Sequence, residues 1–571
     1  MSARARLPVV LLWHMHQPQY RDALTGQYVL PWTYLHAIKD YTDMAAHLEA
    51  QPAARAVVNF TPVLIEQLEE LARRIAEHLA TGTVLPDPVL GLLGPEPVPA
   101  EPAQRLALLR ACLRGHRQHM IERFGPYLEL ATIAETLGSS ERIAYASDQF
   151  IHDLAVWYHL AWLGETVRRT EPLVARLTER GREFSAGQRR DLLTLIGQLI
   201  AQVVPRYRAL AAGGRVELSL TPYGHPIIPL LLDFASAREA VPGMTLPAHP
   251  GYPGGRERAR WHIEEGLRVF ARAFGAAPAG CWPAEGAISA PTLELLAAAG
   301  SFRWAASSAG VLRASLELET PEAAADPLAY NRPYRMPGTG MHCFFRDDSL
   351  SDLIGFTYAT WHGDDAAHNF VNELLTLAER YQDSGNHALL IALDGENAWE
   401  HYPFNGYYFL RALYGLLGEH PRLELLTLSD CLARGLQPAP LPRVMAGSWV
   451  HGTLATWMGD AAKNHAWDLL CSAKQDYDRV MQSMNDPAQR LQCTRQLALC
   501  ESSDWFWWFG DYNPAEAVQQ FDRLYRRQLV TLYRRLNLPP PPQLASPISS
   551  GGGTPEHGGV MQRARAWPAP P

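Results

Sequence analysis

The stretch that decides the fold lies near the N-terminus, where residues 7–18 read LPVVLLWHMHQP. An apolar run ends there abruptly at a polar pair, His14 and His16. The same pattern, a short apolar run followed by polar residues, recurs at 56–60, 216–220, 279–282, 303–306, 341–345, 388–393 and 423–428. Continuous apolar runs of this length predict strands that are buried on both faces, as in a parallel sheet.

Helical segments, such as 65–80 and 256–274, lie between these runs. Alternation of strands and helices, with polar residues collected where the strands end, is typical of a β/α barrel whose site lies at that edge. The chain is therefore predicted to be an α/β protein. The pattern leaves open whether the barrel has seven strands or eight.

Two of the gaps between runs are too long for simple crossovers, which gives the predicted domain organisation. We expect a catalytic barrel over residues 1–435 with helical insertions at about 85–140 and 150–212. A Pro-rich linker at 435–442 leads to a C-terminal helical domain, 443–538, which we expect to complete the active-site cleft. The tail, 539–571, is rich in Pro, Ser and Gly and is predicted to be disordered.

Composition excludes several classes of protein. Of the 571 residues, 47% are hydrophobic and 19% are charged, which is a globular composition, and the net charge of -8 argues against a nucleic-acid binder. The seven cysteines are scattered without a CxxC pair, which argues against a disulfide framework or a cysteine-rich zinc site. No apolar stretch is long enough to span a membrane, and the N-terminal run lacks the features of a signal peptide, so we expect a soluble, cytoplasmic protein.

Two carboxylates follow predicted strands and are candidates for catalysis. Glu285 stands between Pro and Gly in the segment CWPAEG, 281–286. Asp394 follows the run HALLIAL at the catalytic edge of the predicted barrel, and Glu396 and Glu400 lie close by. The residues alone also allow structural roles: Glu285 could favour a helix N-terminus, and Asp394 could start an Asx turn.

His14 and His16, at i and i+2 on a strand end, point to the same side of the sheet. They could donate hydrogen bonds to a substrate or provide half of a metal site, although no HExxH pattern completes a zinc set. A core histidine is the plainer alternative. Downstream, Asp504 stands beside an aromatic run, 505–509, with three Trp and two Phe. That run could line a sugar cleft or pack two domains together.

Together these residues resemble glycoside hydrolase family 57, and most strongly its bacterial branch of α-amylase/α-mannosidase-like proteins. Segments that match the five ordered motifs of the family are HMHQP at 14–18, TPYGHP at 221–226, WPAEG at 282–286, LDGEN at 393–397 and SDWFWW at 503–508. The segment FRDD at 345–348 is also similar to the family. The resemblance spans about 500 residues, nearly everything except the tail.

The resemblance implies a (β/α)7 barrel followed by a helical domain, and a retaining mechanism on α-glucans without a cofactor or metal. Carried over by position, Glu285 matches the nucleophile and Asp394 the general acid/base. The substrate-binding residues that we expect are His14, His16, His225, Trp282, Asp347, Glu396, Asp504 and Trp505.

A retaining glycosidase requires one carboxyl group ionised and the other protonated. We expect His16 or His225 to donate to Glu285 and keep it ionised, and we expect the opposite carboxylate and aromatic burial to raise the pKa of Asp394. The expected partner is an α-glucan or malto-oligosaccharide, with neither nucleic acid nor membrane.

The predicted reaction is α-amylase-like hydrolysis of α-1,4 links through a covalent glycosyl-enzyme. Because glycosyl transfer proceeds through the same intermediate, 4-α-glucanotransferase and branching enzyme stay open as alternatives. Two other classes also stay open. One is a metal-dependent hydrolase resembling polysaccharide deacetylases, with His14, His16 and an aspartate as ligands. The other is a glucan-binding protein without catalysis.

Overall fold

The computed structural model describes residues 6–139, 141–382 and 385–563. Its strands are β1 Leu7–Met15, β2 Ala56–Phe60, β3 Val216–Leu220, β4 Gly280–Cys281, β5 Trp304–Ser308, β6 Tyr334–Arg335, β7 His342–Arg346, β8 Leu389–Asp394, β9 Leu423–Leu425 and β10 Ala439–Pro440. Every predicted apolar run forms a strand. The two additional strands are the short segments β6 and β10.

Seven parallel strands form the barrel, in the order β7, β5, β4, β3, β2, β1 and β8. The seam between β7 and β8 has no continuous ladder, but Asp347 N donates to Leu390 O at 2.8 Å and Arg346 Nη1 donates to Ala392 O at 3.0 Å. β9 pairs only with the first residues of β1, Leu7 to Val9, and stands outside the ring. The predicted α/β barrel is confirmed, and the count is seven.

Helices surround this barrel. Those preceding β3 are α1 Trp32–His36, α2 Thr42–Ala50, α3 Pro62–Thr81, α4 Pro88–Gly91, α5 Pro102–Ala111, α6 Gly125–Thr136, α7 Asp148–Trp162, α8 Glu165–Thr170, α9 Pro172–Arg180 and α10 Ala186–Ala212. The two segments predicted as helical insertions, 85–140 and 150–212, contain α4 to α6 and α7 to α10. Local signals set the helix ends: Ser185 and Gln188, for example, form a capping box at the start of α10.

Between β3 and β10, the described residues form ten further α-helices. They are α11 Ile228–Leu232, α12 Ala237–Ala240, α13 Gly255–Phe274, α14 Ala290–Ala298, α15 Ala309–Glu317, α16 Pro321–Ala325, α17 Asp348–Asp352, α18 Gly363–Tyr381, α19 Tyr407–Gly418 and α20 Leu428–Ala433. The C-terminal helical domain contains α21 Ala461–Met481, α22 Pro487–Cys500, α23 Ser503–Trp508 and α24 Ala515–Arg535. Within the described ranges, no helix has the length and apolarity needed to cross a bilayer.

The strands bury both faces, so their side chains divide between two cores. Val10 and Leu12 of β1 pack with Trp282 and Trp304 in a small cluster inside the barrel. Val9, Leu11 and Trp13 belong to the larger core formed with the helices. Gly280 is required by this packing, because a Cβ atom there would lie 1.8 Å from the Trp304 ring.

The prediction of a disordered tail is wrong for residues 539–563. This segment forms short 3₁₀ turns at Pro542–Ala545 and Glu556–Gly559 and packs on the helical domain. Its glycines allow close backbone approach: Gly552 N and Gly553 N both donate to Asn513 O, and a Cβ at Gly553 would lie 1.9 Å from Tyr512 O. The glycines that suggested a disordered tail therefore serve tight packing. Residues 564–571 lie outside the described part of the chain.

Candidate active site

A cavity of about 310 Å³ lies where the carboxyl ends of β1, β4 and β8 face the helical domain. Most of the predicted site residues line it: His14, His16, His225, Glu285, Asp394, Glu396 and Asp504. The resemblance thus selected residues that are far apart in sequence and that the fold brings together. The cavity is the candidate active site.

Glu285 lies in a 3₁₀ turn directly after β4, with a left-handed backbone conformation at φ 58° and ψ 23°. Such a conformation costs a non-glycine residue on the order of 1–3 kcal/mol and is concentrated at functional sites. Its Oε2 accepts a hydrogen bond from Trp449 Nε1 at 2.8 Å. Burial and the neighbouring Asp394 raise the pKa of Glu285 to about 8, while the indole donor opposes this rise.

Asp394 ends β8 and points into the same cavity. Asn397 Nδ2 donates to its Oδ2 at 2.8 Å. Burial raises the pKa of Asp394 to about 6, against the opposing effects of Asn397, His16 and Arg346. The raised pKa of Asp394 follows the expectation, but its main cause is burial. The pKa of Glu285 is higher still, contrary to the expectation that its surroundings keep it ionised.

The expected donors to Glu285 are engaged elsewhere. Nδ1 of His14 lies 2.7 Å from the amide oxygen of Asn59, which can only accept, so His14 donates there and its Nε2 accepts from His225 Nε2 at 3.1 Å. His225 Nδ1 is then left to accept from the Ser503 hydroxyl at 2.7 Å, and it lies 4.0 Å from Glu285 Oε1. The indole of Trp449 supplies the hydrogen bond that was expected from histidine.

This chain of hydrogen bonds runs through neutral imidazoles. Burial and the neighbouring His16 lower the pKa of His14 to about 3, and burial, His16 and His14 lower the pKa of His225 well below its usual value. His225, like Glu285, has a left-handed backbone, at φ 58°. Both imidazole rings are therefore uncharged, and each is held by a hydrogen bond at both of its nitrogens.

His16 connects the barrel to the helical domain. Its Nε2 contacts both carboxylate oxygens of Asp504, at 2.9 and 3.0 Å, and its Nδ1 contacts Thr61 Oγ1 at 3.0 Å. Asp504 also accepts a hydrogen bond from the Ser502 hydroxyl. The predicted pair of histidines is thus divided: His14 belongs to the buried chain of hydrogen bonds, and His16 contacts the Asp504 carboxylate across the domain boundary.

His16, His225 and Asp504 offer ligand atoms that all lie within 4.8 Å of one another, so a metal ion is a chemical possibility. However, the rings of His16 and His225 are stacked, with centroids 3.8 Å apart and planes 13° from parallel. Their nitrogen lone pairs lie in the ring planes and do not converge on one point. The arrangement is better suited to hydrogen bonding than to metal coordination.

Glu396 lies deeper than the two candidate catalytic carboxylates. Its Oε1 accepts from His16 N and from Gln17 Nε2, each at 3.2 Å. Among the described residues it finds no hydrogen-bond partner for its buried Oε2. Burial and Asp394 raise its pKa well above the usual range, which favours a neutral carboxyl group that positions the His16 backbone and the Gln17 side chain.

Three predicted substrate-binding residues do not line the cavity. Trp282 fills the barrel interior, and Trp505 is fully buried with its Nε1 donating to Leu499 O at 2.8 Å. Asp347 caps α17 by accepting from Leu350 N at 3.0 Å. Their neighbours in sequence, Arg346 and Trp508, line the cavity instead.

Trp449 is the site residue that sequence reasoning missed. Beyond its hydrogen bond to Glu285, its ring packs on Trp282, with centroids 5.1 Å apart, and lies 4.7 Å from the guanidinium carbon of Arg346. No charge pattern or apolar periodicity marks it, since it lies in an irregular loop after β10. The signal that the sequence offers is a tryptophan in an irregular segment that follows the barrel strands.

With the geometry described, comparisons with known proteins identify the family. The model of glycosyl hydrolase family 57 matches residues 10–441, so the chain belongs to this family and is an enzyme of the glycoside hydrolase and transferase class. A search of curated proteins gives no significant match.

Solved structures share the fold over nearly the whole chain. A branching enzyme from Thermococcus kodakaraensis has a TM-score of 0.57 at 15% identity, covering 93% of this chain and 90% of its own. An α-amylase from Thermotoga maritima has a TM-score of 0.56 at 14% identity, covering 93% and 94%. A branching enzyme from Pyrococcus horikoshii has a TM-score of 0.55 at 16% identity, covering 98% and 99%. At such identities the likeness concerns the fold.

Proposed function

We propose that the protein is a retaining glycosidase that hydrolyses α-1,4 links in α-glucans, with Glu285 as nucleophile and Asp394 as general acid/base. One observation carries the proposal: two partly buried carboxyl groups line one cavity at the ends of β4 and β8. Membership of glycosyl hydrolase family 57 and structural similarity to a branching enzyme and an α-amylase support an α-glucan as substrate.

The proton balance of the pair suits this reaction. With pKa values of about 8 for Glu285 and about 6 for Asp394, the two groups together hold one proton near neutral pH. A retaining glycosidase starts from this singly protonated state. In the free enzyme the higher pKa places that proton on Glu285, so the proposed mechanism requires the proton to move to Asp394 when substrate binds.

In the first step, the ionised Glu285 attacks the anomeric carbon while Asp394 gives its proton to the departing glycosidic oxygen. The hydrogen bond from Trp449 to Glu285 Oε2 stabilises the ionised form of that carboxylate. Positive charge that develops on the sugar ring stabilises it further. In the second step, Asp394 removes a proton from water, and the resulting attack on the glycosyl-enzyme releases the sugar.

Incubation with maltoheptaose tests this proposal, with products separated by chain length and linkage. Hydrolysis gives shorter sugars only. Longer oligomers show 4-α-transfer, and new α-1,6 links show branching. Either result would mean that a sugar hydroxyl, and not water, accepts the glycosyl group. The roles proposed for the two carboxylates would stay the same. Absence of turnover on every α-glucan contradicts the proposal.

The metal-dependent alternative has one observation in its favour, the proximity of His16, His225 and Asp504. A chelator separates the two mechanisms. The proposed glycosidase keeps its full glucan-hydrolysing activity after dialysis against EDTA. A metal-dependent deacetylase instead loses its deacetylase activity and regains that activity on addition of Zn²⁺. Release of acetate from an acetylated polysaccharide would support only the second class.

A further inference from the structure

The segment Glu556–Arg563, here called the strap, runs between the two domains at the cavity. On the helical domain, Trp507 Nε1 donates to Gly559 O at 2.9 Å. On the barrel, the His557 ring lies against those of His401, at 3.8 Å, and Phe356, at 5.2 Å between centroids. The strap is therefore anchored at both sides of the cleft.

Four strap residues form part of the cavity wall: Gly558, Val560, Met561 and Gln562. Arg563 contacts residues inside and outside the strap. It pairs with Glu556, at the other end of the strap, at 2.8 Å, and its guanidinium carbon lies 4.6 Å from the Phe356 ring of the barrel. Gly559 fits tightly beneath: its φ is 82°, and a Cβ atom there would lie 2.5 Å from Asn513 Oδ1.

The strap limits the space available to a sugar chain. The cavity volume of about 310 Å³ is at the lower end of the roughly 300–1,000 Å³ found for small-molecule pockets. Trp508 and Phe521 of the helical domain line the same cavity as Val560 and Met561, so apolar groups surround a sugar ring from more than one direction. A long glucan chain that continues past the reacting bond on this side meets the strap.

We infer that the strap determines specificity and restricts the enzyme to short malto-oligosaccharides. This inference rests on the proposed function. Val560 and Met561 offer surfaces that pack on the apolar faces of a terminal sugar, and the Gln562 amide offers hydrogen bonds to its hydroxyl groups. The strap is thus a wall at the end of the substrate site.

Two truncated proteins test the inference. The first ends at Pro555 and lacks the strap. The matched control ends at Arg563 and keeps it. We measure kcat/KM for maltotriose and for long-chain amylose, and take the ratio of amylose to maltotriose. The first protein is expected to raise this ratio at least about tenfold over the wild type. The control is expected to stay within about twofold.

A substitution gives the same test without truncation. Gly559→Val places a side chain against Asn513 at a left-handed position, which displaces the strap, although Gly559 itself does not line the cavity. Gly338→Val is its control, because Gly338 has a similar φ of 81° and a Cβ there meets nothing within 4 Å. The ratio is expected to rise with Gly559→Val and to stay unchanged with Gly338→Val.

The outcomes separate the inference from the proposed function. Suppose that the wild type turns over α-glucans, and that the amylose-to-maltotriose ratio is unchanged both in Gly559→Val and in a strap-free protein that unfolds cooperatively. The inference is then wrong, and the proposed function stands. A wild type without activity on any α-glucan overturns both. A raised ratio in either variant, with its control unchanged, supports the strap as the specificity determinant.

Discussion

The barrel and the helical domain present two different surfaces to the same cavity. The barrel surface is polar: Glu285, Asp394 and Glu396 follow strand ends and are held by hydrogen bonds. The helical domain contributes mainly aromatic side chains, among them Trp508 and Phe521, whose rings stack with centroids 4.7 Å apart. On the proposed function, this difference corresponds to a division of roles in which the barrel would carry the chemistry and the helical domain would hold the sugar.

Asp504 and Trp449 are exceptions to this division, because both lie in the C-terminal region 443–538 and contact polar side chains of the barrel, His16 and Glu285. Asp504 joins the two surfaces through its hydrogen-bonded contact with His16, in which both side chains are mostly buried. Substitutions on the barrel side should therefore reduce kcat, substitutions of the aromatic surface should raise KM, and Asp504 should behave like a barrel residue.

The largest effect is expected from the two carboxylates of the barrel. Glu285→Gln and Asp394→Asn keep the shape of each side chain but remove its ability to attack or to transfer a proton. Each should lower kcat on a natural α-glucan by at least about 1,000-fold. Thermal unfolding of each variant provides the control for folding. Near wild-type turnover in either folded variant contradicts its assigned role.

A smaller loss of kcat is expected when the contact between His16 and Asp504 is removed. Asp504→Asn leaves His16 without its anionic partner, which should lower kcat about 10- to 100-fold and leave KM nearly unchanged. Asp511→Asn is the matched control, since Asp511 lies in the same region and is exposed. A change in KM alone would place Asp504 with the sugar-binding surface instead.

The hydrogen bond between Trp449 and Glu285 predicts a shift in pH dependence. Trp449→Phe removes the indole donor that favours the ionised form, so the pKa of Glu285 rises further. Because Glu285 has the higher pKa of the pair, its ionisation is the second proton loss and sets the basic limb of kcat/KM. That limb should move to higher pH by about one unit. The profile is measured against that of the wild type in the same buffers. An unmoved basic limb excludes this role for Trp449.

The smallest effect is expected on the aromatic surface. Trp508→Ala removes a ring available for sugar stacking and should raise KM about three- to tenfold with kcat within about twofold. Trp361→Ala is the control, because Trp361 is 41% exposed and does not line the cavity. A loss confined to kcat would show that the division between the surfaces is wrong.

Much of the barrel could be predicted from sequence, because strands buried on both faces leave continuous apolar runs. The same runs could not show that β9 stands outside the ring, since that depends on pairing. The carboxylates and histidines that line the cavity could be selected because they follow strand ends. Trp282 and Trp505 lie in the core and do not line the cavity. Sequence could not show this, because an aromatic residue in a motif has the same appearance whether it packs in the core or faces the cavity.

Other features depend on tertiary structure alone. The donor to Glu285 is Trp449, more than 160 residues away in sequence and in an irregular loop. The order of pKa values in the carboxyl pair depends on burial and mutual repulsion, which composition does not reveal. The strap could not be predicted from the sequence, because a segment rich in Pro, Ser and Gly can be either disordered or closely packed.

Azide rescue of the two alanine variants, with an activated α-glycoside as substrate, tests the assigned roles most directly. In Glu285→Ala, azide should attack the sugar from the vacated side and give a β-glycosyl azide. In Asp394→Ala, the glycosyl-enzyme still forms, and azide should displace Glu285 to give an α-glycosyl azide. The anomers are distinguished by proton NMR. The opposite pairing of variants and anomers would show that the two roles are reversed, and recovery of neither azide from folded variants would contradict the retaining pair.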